Sequence, residues 1–198
     1  MAGDAPRLIT VAAARRALRG RRPQVVDAPD ARPAAVALVL VDEPGGLEVL
    51  LIRRAERATD PWSGQIALPG GRHDARDADL LTTAVRETRE ETGVDLSAAE
   101  RLGVLDDLHP RIASLPPVVV RPFVFTMARR AALVPSAEVQ RAFWVPLARL
   151  LEPGVRHEIT LTLRGERRTF PAYLVGEEVI WGMTERILTP FLDLIMTM

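Results

Sequence analysis

At 198 residues, 47% of them hydrophobic and 26% charged, the chain is long enough for one domain with a real core and has the composition of an ordinary globular protein. Its formal net charge is +0, so no global field draws in nucleic acid or an anionic membrane, and no apolar run approaches the ~18 residues of a membrane span. Cysteine is absent, which removes disulfides, thiolate metal sites and thiol nucleophiles together.

Lysine is absent as well, so every basic side chain other than the histidines is an arginine, and neither a Schiff base nor a lysine general base is available. The three histidines, His73, His109 and His157, are scattered and share no ligand spacing, which argues against a histidine-rich zinc site. No basic segment followed by a long apolar run opens the chain. A cytoplasmic location is therefore expected, with no nucleic acid and no membrane among the partners.

Residues 8–19 read as a short helix with Thr10 as its cap, followed by an Arg19-Gly-Arg-Arg-Pro23 loop. That basic cluster has no interleaved aromatic residue and reads as solvated chain rather than a nucleic-acid patch. Residues 1–33 are taken as an N-terminal helix and linker, and 34–198 as the main domain. Ala34–Val41 and Leu47–Arg53 are apolar or alternating runs around Asp42-Glu-Pro-Gly-Gly46, a hairpin pattern. Asp60-Pro-Trp-Ser-Gly64 is a loop leading to Leu68-Pro-Gly-Gly71. A helix is expected from the N-cap Asp79 to Thr92, with Gly93 in the C′ position.

Strands are expected at Arg101–Leu105 and Val118–Thr126. A second hairpin is expected from Glu158–Leu163 and Arg168–Tyr173, and a last helix over Met183–Ile195. Strands and helices mix without βαβ alternation, which points to an α+β layered domain on a mixed sheet.

The chemistry concentrates in Gly70–Val94, GGRHDARDADLLTTAVRETREETGV. On a helix, Glu87, Glu90 and Glu91 stand at i, i+3 and i+4, so three carboxylates share one face. Stacked like charges cost a few tenths of a kcal/mol per pair when solvated, and more when partly buried. A hard divalent cation reverses that cost, since Mg²⁺ is held by carboxylates and substrate phosphates. Arg86 reaches Glu90 at i+4 and can fix its orientation. A solvated Glu/Arg face, common on surface helices, is the plainer alternative for the triple glutamate taken alone. The preceding glycines allow unusual backbone angles and close approach of a ligand.

This loop–helix unit resembles the Nudix box, GX5EX7REUXEEXGU, where U is a bulky apolar residue. Arg86-Glu-Thr-Arg-Glu-Glu-Thr-Gly-Val94 matches its REUXEEXGU part, with Thr88 at the first U. Asp77 stands where the motif has glutamate, and eight residues separate it from Arg86 where the motif has seven. The extra residue is expected in the loop or first turn, upstream of the glutamates. Upstream of the box the chain is similar to the coenzyme A diphosphatases, whose signature is LLTXRSX3RX3GX3FPGG. Leu50, Leu51, Arg54, Gly64, Pro69, Gly70 and Gly71 correspond, whereas Ile52, Ala55 and Leu68 depart, and Arg57 is displaced from the second arginine. The tail Ile180–Leu188, IWGMTERIL, also looks like that subgroup's ending.

The resemblance implies the Nudix fold, an α/β/α sandwich around a mixed sheet. It implies a hydrolase that cleaves the pyrophosphate linkage of a nucleoside-diphosphate derivative, possibly coenzyme A, giving 4′-phosphopantetheine and 3′,5′-ADP. Glu87, Glu90 and Glu91, with a carbonyl of Gly70 or Gly71, would hold Mg²⁺, with Mn²⁺ as a substitute. Glu87 would also orient or deprotonate the attacking water, and Arg54 and Arg72 would bind substrate phosphate unless they serve as structural ion pairs. The family suggests a homodimer. ADP-ribose, dinucleotides and nucleoside triphosphates are alternative substrates, and a non-catalytic nucleotide-sensing domain is the alternative class. Trp62 and Trp181 are candidates for stacking on an adenine, with core burial the plainer reading. His73 and the Leu115-Pro116-Pro117 step are weaker candidates for the pocket wall.

Overall fold

A computed structural model describes residues 9–56, 63–110, 117–163 and 165–197. Strand β1 (Arg32–Glu43) is the spine of the main sheet, because Ala37–Val41 are buried on both of its faces. It pairs antiparallel with β2 (Gly46–Arg54) through the expected hairpin and parallel with β6 (Val118–Met127), in the register Arg32↔Val118 to Val41↔Met127. β5 (Glu100–Val104) edges β6, and β7 (Val139–Pro146) runs antiparallel to β2. Two short strands, β3 (Ile66–Ala67) and β4 (Gly70–Arg72), pair with β2 and β1. A second antiparallel sheet contains β8 (Arg156–Leu163), β9 (Glu166–Val175) and β10 (Glu178–Trp181).

Helix α2 (Leu80–Thr92) covers one face of the main sheet, on a core that includes Ala35, Ala37, Val39, Leu50 and Ala84. Helices α1 (Val11–Leu18) and α4 (Met183–Met196) join the core on the other face, with Leu38, Leu40 and Leu51. This is the expected α/β/α arrangement around a mixed sheet. A four-residue helix, α3 (Leu147–Leu150), follows β7.

The N-terminal segment is tied to the domain rather than loosely solvated. Ala14, Ala17 and Leu18 are buried, Arg15 meets Glu100 at 2.7 Å, and Arg21 of the basic cluster meets Asp106 at 2.6 Å. Strands β7 and β10 have no counterpart among the sequence expectations. β7 buries only Val139 and Val145 in full, so its alternation is too weak to mark it in the sequence.

Candidate active site

Helix α2 forms where its caps place it. Asp79 accepts from the Thr82 N–H at 2.7 Å, and Gly93 takes the left-handed C-terminal position at φ 75°. The eight residues between Asp77 and Arg86 run through Ala78 and the N-cap Asp79 into the first turns of α2, upstream of the glutamates. Leu80 and Ala84 pack toward the sheet, which turns Glu87 and Glu91 toward the glycine loop.

That loop is fixed sterically. Gly70 has φ +152°, and a Cβ there would lie 2.3 Å from the Ala35 carbonyl oxygen. At Gly71 a Cβ would fall 2.5–2.7 Å from the Glu87 carboxylate. Only glycine lets β4 lie this close to β1 on one side and to the helix on the other. The loop is tied to the helix by its backbone: Gly70 N donates to Glu91 Oε2 at 2.8 Å.

Arg86 organises the helix face. Its Nε and Nη2 grip the two oxygens of Asp77 at 2.9 Å each, while Nη1 donates to Glu87 at 2.8 Å and Glu90 at 2.9 Å. Asp77 is buried and also accepts from Thr83 Oγ1 at 2.8 Å. The Arg86 guanidinium holds the Asp77 carboxyl well below the usual carboxylate range, overriding burial. With the Thr83 hydroxyl given to Asp77, the 2.9 Å contact to His73 makes His73 Nδ1 the donor. His73 therefore turns to the helix rather than the cleft.

Glu91 is 4% exposed, and burial pushes its carboxyl up to about 7 against the pull of the Gly70 N–H and of Arg54. Burial also raises Glu87, with Arg86 opposing and the charges of Glu90 and Glu138 adding to the rise. Glu90 lies outward, its side chain 60% exposed. Among the described residues no three carboxylate or histidine groups converge closely enough to hold an ion. The three glutamates share a face but are held apart, Glu87 and Glu90 by Arg86 and Glu91 by Gly70. The donor set nonetheless suits a hard divalent cation: it is all-oxygen and partly buried, and it includes Glu91, a carboxylate that burial alone would keep from ionising.

A cleft of about 500 Å³ opens from this point, within the range of small-molecule sites. Glu87, Glu91, Gly70, Gly71, Arg54 and Arg72 all line it, but Glu90 and Arg86 do not. Arg54 Nη1 stands 3.9 Å from Glu91 Oε1, a long ion pair. Three contributions escaped the sequence reading. Glu138, at the entry to β7, lines the cleft, and its charge acts on both Glu87 and Glu91. Arg32 lines it from β1, and Met183, Thr184 and Ile187 line it from the IWGMTERIL tail. A lone acidic residue before a weak strand carries no signal by itself. Trp181 packs in a tilted arrangement against Phe170, with centroids 5.4 Å apart, and does not line the cleft. Trp62, Leu115 and Pro116 lie outside the described residues, while Pro117 lines the cleft.

Comparison with known proteins agrees with this layout. The NUDIX domain matches residues 31–164. Human mitochondrial coenzyme A diphosphatase NUDT8 is 33% identical over 165 residues, 81% of this chain and 69% of that protein. The uncharacterized Nudix hydrolase NudL of Photorhabdus laumondii is 31% identical over 158 residues, 79% of this chain and 81% of the relative. An uncharacterized Schizosaccharomyces pombe protein, C14C4.10c, is 38% identical over 132 residues, which is 64% of this chain but 40% of that protein's length. Among solved structures, a MutT/nudix family protein from Enterococcus faecalis superposes with a TM-score of 0.59 at 22% identity, over 87% of this chain and 64% of that one. The NUDIX domain of Shewanella oneidensis NrtR, crystallised with ADP ribose, gives 0.50 at 28% identity over 64% and 78%. The chain belongs to the Nudix family of hydrolases, whose members generally use divalent metal cations.

Proposed function

We infer that this protein is a Mg²⁺-dependent hydrolase, served also by Mn²⁺, that cleaves the diphosphate linkage of a nucleoside-diphosphate derivative, with coenzyme A the first substrate to test. Residues 34–198 form the hydrolase domain in this reading. The observation that carries it is the meeting of Glu87, Glu91 and the Gly70–Gly71 loop at one end of a single cleft also lined by Arg54 and Arg72. Glu87, Glu90 and Glu91 are the ligand candidates. Glu90, held by Arg86 and turned outward, is the least converged of the three. A bound divalent cation supplies neutralisation of the diphosphate oxygens and an acidified water.

The side chains do the rest. Arg54, near Glu91, would hold a phosphate oxygen of the substrate. Arg86, locked by Asp77, keeps Glu87 and Glu90 oriented. Glu87 and Glu138 are the carboxylates available to take a proton from the attacking water. Phosphoryl-type transfer asks for positioning and electrostatics more than covalent chemistry, so a chain without cysteine or lysine suffices.

Coenzyme A is favoured by the 33% identity to a coenzyme A diphosphatase and by the Pro69-Gly-Gly71 match upstream of the box. The test is a mass-resolved product assay on coenzyme A, ADP-ribose, a diadenosine polyphosphate and a nucleoside triphosphate, with and without Mg²⁺. The expected products are 4′-phosphopantetheine and 3′,5′-ADP, formed only with metal. Much faster turnover of another member of the panel overturns the coenzyme A reading, and no metal-dependent turnover of any member overturns the hydrolase.

A further inference from the structure

The cleft has a second feature that the carboxylates do not explain. Arg72 of β4 lies directly opposite Ala34 of β1, and Arg32 is two residues before Ala34 on the same strand. Directly opposed residues and residues two apart share a sheet face, so both arginines rise from the same side. Val118 and Val120 of β6 stand beside Arg32 and Ala34 in the parallel register. Arg32, Ala34, Arg72, Val118 and Val120 all line the cleft. The result is an apolar floor with two guanidiniums on neighbouring strands at its rim.

Both arginines are exposed, and among the described residues neither guanidinium has an ion-pair or hydrogen-bond partner. The other arginine lining the cleft, Arg54, lies near Glu91. Side chains on a diagonal pair of adjacent strands are about 7–8 Å apart at the backbone, close enough for two arginines to close on one anion. Guanidiniums suit phosphate because their planar fork donates two parallel hydrogen bonds. Holding two cations without partners among the described residues on one strand pair serves no packing purpose here, since the floor below them is already apolar.

We propose that Arg32 and Arg72 form a second anion subsite, distinct from the carboxylate face, that binds a phosphate group of the substrate other than the pair being cleaved. The proposal rests on the hydrolase reading above and narrows its substrate class to diphosphate derivatives carrying a further phosphate. That phosphate is either a branch phosphomonoester on the sugar or an additional member of a linear chain.

The test is equilibrium binding by calorimetry to the full-length, metal-free protein, which does not depend on turnover. The probes are adenosine 3′,5′-bisphosphate and ATP, each against AMP. At least one is expected to bind about tenfold or more tightly than AMP, the scale of one or two charge-assisted hydrogen bonds. The probe showing the preference identifies the source of the phosphate. In the Arg32→Gln/Arg72→Gln double variant the ratio should fall to within about twofold of unity, while Arg32→Lys/Arg72→Lys retains part of it. Both positions are exposed, so folding should survive, and a thermal melt checks this. No preference in the wild type, or an unchanged preference in the double glutamine variant, overturns the subsite. If the preference behaves as expected but Mg²⁺ supports no hydrolysis, the hydrolase reading fails and the subsite stands.

Discussion

Arg86 grips Asp77 with two parallel hydrogen bonds of 2.9 Å, and the same guanidinium reaches on to Glu87 and Glu90. Asp77 is thus the anchor through which a turn before the helix sets the direction of two carboxylates on it. Arg86 does not line the cleft, so its part is to position other groups rather than to touch substrate.

Asp77→Asn should keep the shape but lose the charge that holds Arg86. Breaking a buried pair by removing one partner costs about 3–5 kcal/mol, and partial exposure of Arg86 lowers that to roughly 2–3 kcal/mol. The melting temperature should fall by roughly 5 °C or more. Because Glu87 and Glu90 lose their support, the Mg²⁺ concentration for half-maximal activity should rise as well. A variant with a lower melting temperature and unchanged Mg²⁺ dependence would show that Asp77 serves stability alone.

The two glycines of the loop make separate predictions. Gly70→Ala puts a methyl group 2.3 Å from a backbone oxygen at φ +152°, which nothing flexible relieves, and should cost about 3 kcal/mol or more. Gly71→Ala strikes only the Glu87 carboxylate at 2.5–2.7 Å, and a side chain can swing away. It should fold with modest loss of stability but lose activity by roughly a hundredfold, because a candidate ligand is displaced. Melting curves beside turnover numbers separate the two, and equal effects on both quantities would contradict this division.

How much of this was legible in the sequence follows from range. The α2 caps and the i, i+3, i+4 spacing are local, so Asp79, Gly93 and the glutamate face could be read directly. The first hairpin and α4 were legible through periodicity and turn residues. Asp77 looked displaced by one residue, yet Arg86 reaches it across the eight intervening residues through two hydrogen bonds, a contact that a spacing rule does not encode. Glu138, Arg32 and the tail reach the cleft only through strand register and helix docking, which no short window encodes. The Gly70 N–H on Glu91 was not legible either, since a backbone group's direction depends on φ and ψ rather than residue type.

Burial sets the pH dependence. Glu91 is raised to about 7 and Glu87 is raised as well, so in the metal-free folded protein both take up protons at a higher pH than free carboxyls do. Between the ordinary carboxyl range and about pH 7 the folded state holds more protons than the unfolded one, and stability therefore falls as pH rises through that window. Asp77 acts in the opposite sense and lower down: its contribution is present above the ordinary range and lost in strong acid. Glu91→Gln should flatten the upper window and raise the metal-free melting temperature near pH 7. The same variant should lose roughly a hundredfold or more in activity, on the scale of removing a major electrostatic contact. Melts from pH 4.5 to 7.5 in EDTA check the first effect, and full activity at saturating Mg²⁺ would remove Glu91 from the ligand set.

The identity of the ion separates catalysis from binding. A carboxylate site with open positions suits Mg²⁺ or Mn²⁺, which also take substrate phosphate oxygens. Ca²⁺ is larger, takes more ligands in looser geometry and polarises a bound water less. It should therefore occupy the face of Glu87, Glu90 and Glu91 without supporting turnover. Ions that need ionised carboxylates displace protons, so the affinity for either should rise with pH up to about 7, where Glu91 titrates. Steady-state rates at fixed substrate with varied Mg²⁺ should show Ca²⁺ inhibiting competitively with Mg²⁺, and raising the pH from 5.5 to 7 should lower the concentration of each ion needed. Activity that persists in EDTA, or that is equal with Ca²⁺ and Mg²⁺, would mean that the glutamates do not run the chemistry, and a nucleotide-sensing role would then account better for a cleft lined by arginines.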